Sequence, residues 1–336
     1  MRKFPEISVI LPFYNAENTL EAAVESILIQ TFSDFELLLV NNCSTDDGFA
    51  IAKKLVNTDR RIRLFSEEKP GVAHAMNRGL KNAHGKFIAR MDADDFSFPE
   101  RLEKQIAFLK ENPEIGLVGS TVKYVPHNKN TAGFKRFVQW VNAFNTPEEI
   151  EQNRFVEIPV VNPTILFRRE MYEKWGGCFQ GDFPEDYEMQ LRYLEAGVKM
   201  AKLKEPLLEW HDYSTRLTRT DERYSIEAFF RVKARYFEKW SAQHNPFHPK
   251  IWVWGAGRKT RQRAKLLEIE GLVVEGFIDI IKSKTTKEKV LHFEAIPQPG
   301  EMFIVSMVTN PGAGAQIREF LLNKNYVEGE YFMLMG

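Results

Sequence analysis

The sequence predicts an α/β protein: a mostly parallel sheet flanked by helices, followed by a smaller unit of the same class. Three observations carry that expectation. Apolar, β-branched runs alternate with segments of helical period over roughly the first hundred residues. The pattern stops at "SAQHNPFHPK" (241–250), which has two prolines, two histidines and no hydrophobic period. Beyond it the alternation restarts, in a chain of 336 residues that exceeds what one core usually accommodates.

The elements follow in order. "ISVILPF" (7–13) is a near-continuous apolar run, as a strand buried on both faces requires. "AENTLEAAVESILIQ" (16–30) places Leu20, Ala23, Val24, Ile27 and Leu28 at helical spacing. "FELLLVNN" (35–42) and "IRLFSE" (62–67) are strands two and three, separated by the helix "DGFAIAKKLVN". "VAHAMNRGLKNA" (72–83) is a third helix, with Gly85 as its expected left-handed stop. "KFIARMD" (86–92) is a fourth strand, and "PERLEKQIAFLKEN" (99–112) a helix with Pro99 in its first turn. "GLVGSTVKYV" (116–125) is a strand, whereas 126–160 reads as irregular, a lid or acceptor-side excursion. "NPTILFRREMYEKWGG" gives a strand and short helix, and "PEDYEMQLRYLEAG" a helix closed by Gly197; a charged helical stretch occupies 221–240. After 250 come strand, glycine turn and helix in "IWVWGAGRKTRQRAKLLEIEG", then strands "LVVEGFIDI" and "MFIVSM" and the helix "AGAQIREFLLNKN". The expected domains are 1–215, a helical extension and linker over 216–248, and a Rossmann-like unit over 249–336.

Composition narrows the function classes. Lys plus Arg equals Asp plus Glu at 46 each, which argues against a nucleic-acid partner and an acidic tail. Two distant cysteines, Cys43 and Cys178, suit neither a disulfide framework nor a zinc site, so a reducing cytoplasm fits. With no apolar stretch of spanning length, work at a membrane would be peripheral, at its inner face.

The chemistry concentrates at strand ends, where ligands sit in open parallel sheets. Asp92, Asp94 and Asp95 crowd the end of the fourth strand, and such repulsion calls for a cation or substrate to offset it. Their hard oxygens suit Mg²⁺ or Mn²⁺ shared with substrate phosphates. Taken alone, the pattern is short and equally fits a solvated, helix-capping loop. The first strand ends in Pro-Phe-Tyr-Asn before a helix N-terminus, a place that favours anionic groups. There Tyr14 suits stacking on a base, and Asn41 and Asn42 suit its polar edge; Pro12 and Asn15 are also ordinary turn formers.

Together these segments resemble the family-two glycosyltransferases, which have a GT-A fold. The likeness covers about the first 215 residues. It is carried by "SVILPFYNAENTLEAAVESILIQTFSDFELLLVNNCSTDDG", "KPGVAHAMNRGLKNAHGKFIARMDADDFSFPERL", "NPTILFRREMYEKWGG" and "PEDYEMQLRYLEAG". The resemblance implies inverting, metal-dependent transfer from a nucleotide-diphosphate sugar, most often a uridine one. The acceptor it implies is a glycan or lipid-linked precursor in surface polysaccharide synthesis. It puts the nucleotide near Pro12, Tyr14, Asn15, Asn41, Asn42 and Asn77, the ribose or donor sugar near Asp92, and the metal on Asp94 with Asp95 in support. Asp186 maps as the base that takes the acceptor proton, with Glu185 as its neighbour; one base suffices when a metal offsets the departing diphosphate. In "KEPLLEWHDYSTRLTRT" (204–220), a loop expected to close over the diphosphate, His211 maps as a further metal ligand and Arg216 and Arg219 as phosphate clamps. Two departures stand out: Asn41-Asn42 replaces the common Asp-Asp, removing charge but keeping an acceptor oxygen, and Met76 replaces a common Arg.

In the C-terminal unit, Gly255 and Gly257 with Asp279, 22 residues beyond Gly257, approximate a dinucleotide-binding fingerprint whose third glycine is Thr260. The unit also resembles the nucleotide-sugar-binding domain of some sugar acetyltransferases. It suggests either a nucleotide site or a packing and homo-oligomerisation module. Two competing readings remain at this point: an NAD(P)-linked enzyme centred on this unit, and a non-catalytic sugar-nucleotide-binding protein.

Overall fold

The computed structural model describes residues 4–129, 131–281 and 289–336. The chain divides into two compact units: 1–150, 159–181 and 185–220 in the first, and 151–158, 182–184 and 221–336 in the second.

The first unit is built on an eight-stranded sheet ordered β3-β2-β1-β4-β7-β6-β8-β5. Its strands are β1 (Ile7–Phe13), β2 (Phe35–Asn42), β3 (Ile62–Glu67), β4 (Phe87–Arg90), β5 (Phe96–Ser97), β6 (Ile115–Pro126), β7 (Leu166–Arg168) and β8 (Lys199–Asp212). β1 pairs in parallel with β2 and β4, so Phe13, Asn42 and Arg90 end their strands toward the same edge. β7 runs antiparallel to both β4 and β6. All residues of β1 and β2 are buried, as their continuous apolar runs require. Helix Leu20–Leu28 buries Leu20, Ala23, Val24 and Ile27 on the face the period predicts.

Four expectations change. The first helix begins at Leu20, because residues 15–17 instead bind the 44–47 loop: Thr45 N donates to Asn15 Oδ1 (2.8 Å) and Glu17 N to Asp46 Oδ2 (2.8 Å). Gly85 is no helix stop. The helix ends at Asn82 with Ala83 extended, and Gly85 is needed because a Cβ there would lie 2.4 Å from Ser8 N. Residues 126–160 are not irregular but hold helices Ala132–Val141 and Pro147–Asn153; Phe134, Phe137, Val138 and Val141 mark the inward stripe of the former. Residues 204–212 belong to strand β8 rather than to a loop, paired with β6 from Lys123↔Glu209 to Pro126↔Asp212.

The second unit carries an all-parallel, five-stranded sheet ordered β11-β10-β9-β12-β13. These are β9 (Lys250–Trp254), β10 (Val273–Asp279), β11 (Val290–His292), β12 (Ile304–Ser306) and β13 (Phe332–Leu334). The order reverses between β9 and β12. Helix Ile226–His244 groups with this unit, and its core includes Trp252, Trp254, Ile278, Ile304 and Leu321.

Candidate active site

Immediately after β4, Asp92, Asp94 and Asp95 bring carboxylate oxygens within 4.8 Å of one another. They are not equivalent. Asp95 is buried; its Oδ1 accepts from His211 N (2.8 Å), while its Oδ2 has no hydrogen-bond partner among the described residues. Asp92 Oδ1 accepts from Arg90 Nε at 2.9 Å, and Asp94 keeps a side chain 30% exposed. Burial pushes the carboxyls of Asp94 and Asp95 upward; Arg216 opposes this, and the neighbouring aspartates add to it.

The repulsion expected to call for an external cation is offset in part by the chain itself. Arg216 lies 3.9, 3.8 and 3.4 Å from Asp92, Asp94 and Asp95. Arg90 is buried against Asp92, and the Asn162 amide, with its oxygen turned inward, accepts from Arg90 Nη1 at 3.0 Å. Arg101 is fully buried beneath them, donating to Arg90 O (2.6 Å) and Gln105 Oε1 (3.2 Å). Burial brings its guanidinium down to about 10, against the pull of Asp92 and Asp95. Sequence reasoning missed Arg90, Arg101 and Gln105. The available signal was a pair of polar residues, Arg101 and Gln105, at i and i+4 beside the apolar stripe of Leu102, Ile106 and Leu109.

Helix Glu185–Glu195 starts with the second carboxylate pair, Glu185 buried and Asp186 partly so. Asp186 Oδ1 accepts from Tyr187 N at 2.8 Å. Its carboxyl is nevertheless raised to about 7, by burial first and Glu185 second, with Arg90 pulling the other way. Burial works against the charge on Arg90, but the fields of Asp92, Glu185 and Asp186 together favour its charged form and prevail. Arg90 therefore stands in the electrostatic reach of both carboxylate groups.

The residues expected around the nucleotide divide. Tyr14 is 59% exposed at the strand edge, free to stack. Asn15 adopts φ 48° and, with Ser44 and Thr45, fastens two loops. Pro12 is buried in register with Val40. Asn41 Oδ1 accepts from Ser44 N at 3.3 Å. Asn42 is a strap: its amide donates to Glu67 O (3.2 Å) and Lys69 O (2.8 Å) and accepts from Gly71 N (2.7 Å). A carboxylate could not donate to those two carbonyls, which gives a physical reason for Asn there. Asn77 is likewise committed, donating to Cys178 O (2.7 Å) and accepting from Cys178 N (3.0 Å).

The two arginines of 204–220 also part company. Arg216 joins the acidic cluster, whereas Arg219 makes a two-point pair with buried Asp212 (2.8 and 2.6 Å), whose Oδ2 also accepts from Tyr124. The His211 backbone reaches Asp95, but its ring lies against Glu209, His127 and Tyr213, outside the three-carboxylate group. In the second unit, both oxygens of Asp279 accept from the backbone, from Ala256 N (2.7 Å) and Ile281 N (3.0 Å). Asp279 thereby fastens the Gly255–Gly257 turn, where Gly255 has φ 106°.

A divalent cation fits the first cluster on two counts: an all-oxygen donor set, and a buried carboxylate oxygen without a partner among the described residues. Among the described residues, no helix is long and apolar enough to cross a membrane.

Residues 8–176 match the family described as glycosyl transferase family 2. EpsE of Bacillus subtilis (strain 168), named as a glycosyltransferase, is 33% identical over 233 residues, 68% of this chain and 80% of that one. The O-antigen biosynthesis glycosyltransferase WbnJ of Escherichia coli is 30% identical over 64% of this chain and 84% of its own. Among solved structures, residues 1–349 of S. aureus TarS in complex with UDP-GlcNAc superpose with a TM-score of 0.56 at 20% identity, covering 79% of this chain and 71% of that one. The mannosyltransferase PcManGT of Pyrobaculum calidifontis, in complex with GDP-Man and Mn²⁺, gives 0.50 at 19%, covering 72% and 65%. The parallel strand edge, the acidic cluster after β4 and these likenesses agree: the chain belongs to glycosyl transferase family 2 and is a glycosyltransferase of GT-A fold.

Proposed function

We propose that this glycosyltransferase inverts the anomeric centre, moving a sugar from a nucleotide-diphosphate donor, a uridine one first, to a hydroxyl of a glycan or lipid-linked acceptor. The observation that carries the reading is Asp186, a partly buried carboxyl raised to about 7 at a helix start. A base must be able both to hold and to release a proton near working pH, and this group can. Its carboxylate takes the acceptor proton as the hydroxyl oxygen bonds to the anomeric carbon. The bond from that carbon to the diphosphate oxygen breaks, and the nucleoside diphosphate leaves with the electron pair. Asp92 faces the donor sugar, and Arg90 holds Asp92 in place. Held by Asp94 with Asp92 and Asp95 beside it, Mn²⁺ or Mg²⁺ would supply charge to offset the departing diphosphate.

The complexes of TarS with UDP-GlcNAc and of PcManGT with GDP-Man and Mn²⁺ support a nucleotide-sugar donor and a divalent ion. The name of WbnJ supports a surface-polysaccharide acceptor, reached peripherally at the membrane if lipid-linked. The test is Asp186→Asn, assayed by mass spectrometry of products over a donor panel. Transfer should fall by about 10²–10⁴-fold with donor binding retained; near-normal turnover would remove Asp186 as the base.

A further inference from the structure

The three guanidinium groups around the acidic cluster are held very differently. Arg90 is buried in a 2.9 Å pair with Asp92, and Arg101 is fully buried and bonded to Gln105 and to the Arg90 carbonyl. Arg216 makes only long contacts with the carboxylates, 3.4 to 3.9 Å, and donates to the His211 carbonyl. It rests on the Trp210 ring, 4.4 Å from the centroid.

We propose that Arg216 is the resident counter-cation of the metal-free site, standing among the three carboxylates where a divalent cation would bind and leaving when the cation arrives. The inference rests on the metal site proposed above. Arg216 already offsets part of the charge of the three carboxylates, so a dication sharing them with it would crowd positive charge in a largely buried place. Arg90 and Arg101 are fixed by short bonds within the fold. Arg216 is anchored by a hydrogen bond to the His211 carbonyl, but its contacts with the carboxylates themselves are long, and it sits beyond the end of β8 on the short segment before helix Leu217–Thr220. A donor diphosphate offers the displaced guanidinium a two-oxygen partner. Metal and donor then favour each other's binding through Arg216, in addition to any direct contact between them.

The test uses the full chain without nucleotide and follows free Mn²⁺ by its paramagnetic resonance signal. Arg216→Gln should bind Mn²⁺ about tenfold more tightly than wild type, because no resident charge has to be displaced. Arg216→Lys, which keeps the charge, should stay within about threefold of wild type and serves if the glutamine variant does not fold. Mg²⁺ should also change tryptophan emission in wild type, but not in Arg216→Gln or Trp210→Phe, because the guanidinium leaves the indole. Equal or weaker Mn²⁺ binding in Arg216→Gln, while Asp94→Ala still abolishes it, would overturn the counter-cation role and leave the metal site standing. Absence of Mn²⁺ binding in every form would remove both.

Discussion

Each unit places aspartate at or just beyond the carboxyl end of a parallel strand, yet the two ends are built for different purposes. After β10, both Asp279 oxygens accept from backbone amides of the glycine turn and of its own loop. After β4, Asp92 and Asp94 face guanidinium groups, and buried Asp95 leaves one oxygen without a partner among the described residues. A carboxylate whose acceptors are filled by its own backbone fastens a fold. One left short of partners in a buried cluster carries a cost that a ligand can offset. The difference separates the two acidic motifs more sharply than their spacing does.

The largest expected effect is on chemistry. If Asp186 is the base, kcat/KM falls as pH drops below about 7, since the carboxyl must lose its proton to act; an unperturbed aspartate would place that limb near 4. Stability runs the other way. A carboxyl raised in the fold contributes fully below its unfolded value of 3.8, and that contribution is lost as pH rises through about 7. Asp186→Asn should therefore melt above wild type at pH 8 while losing transfer, as thermal unfolding would show.

Asp279→Asn tests the other side of the comparison. It removes a charged acceptor from two backbone amides and should cost about 1–3 kcal/mol in denaturant unfolding, with transfer per folded molecule unchanged. A large loss of transfer without a loss of stability would instead place Asp279 in a ligand site. Asn42→Asp is the finer probe: it should cost about 1–2 kcal/mol, because two backbone carbonyls lose their donor, while UDP affinity changes little.

Much of this was legible in the sequence, and the boundary is physical. The parallel strands, the acidic cluster after β4 and the Glu185–Asp186 helix start follow from period and position along the chain. The roles of Asn42 and Asn77 do not, because their partners are backbone groups 25 to 29 and 101 residues away and leave no local pattern. Gly85 looked like a helix stop because glycine often is one; its actual reason, backbone packed against Ser8, depends on tertiary contact. The guanidinium groups that balance the aspartates were hidden for the same cause. Arg90 closes a strand and Arg101 opens a helix, where arginine normally reads as solvated.

The most direct measurement is calorimetric titration of UDP into wild type and Asp94→Ala, each with and without Mn²⁺. UDP binding should require Mn²⁺ in wild type and disappear in Asp94→Ala. UDP binding that ignores both Mn²⁺ and the Asp94 substitution would contradict that expectation.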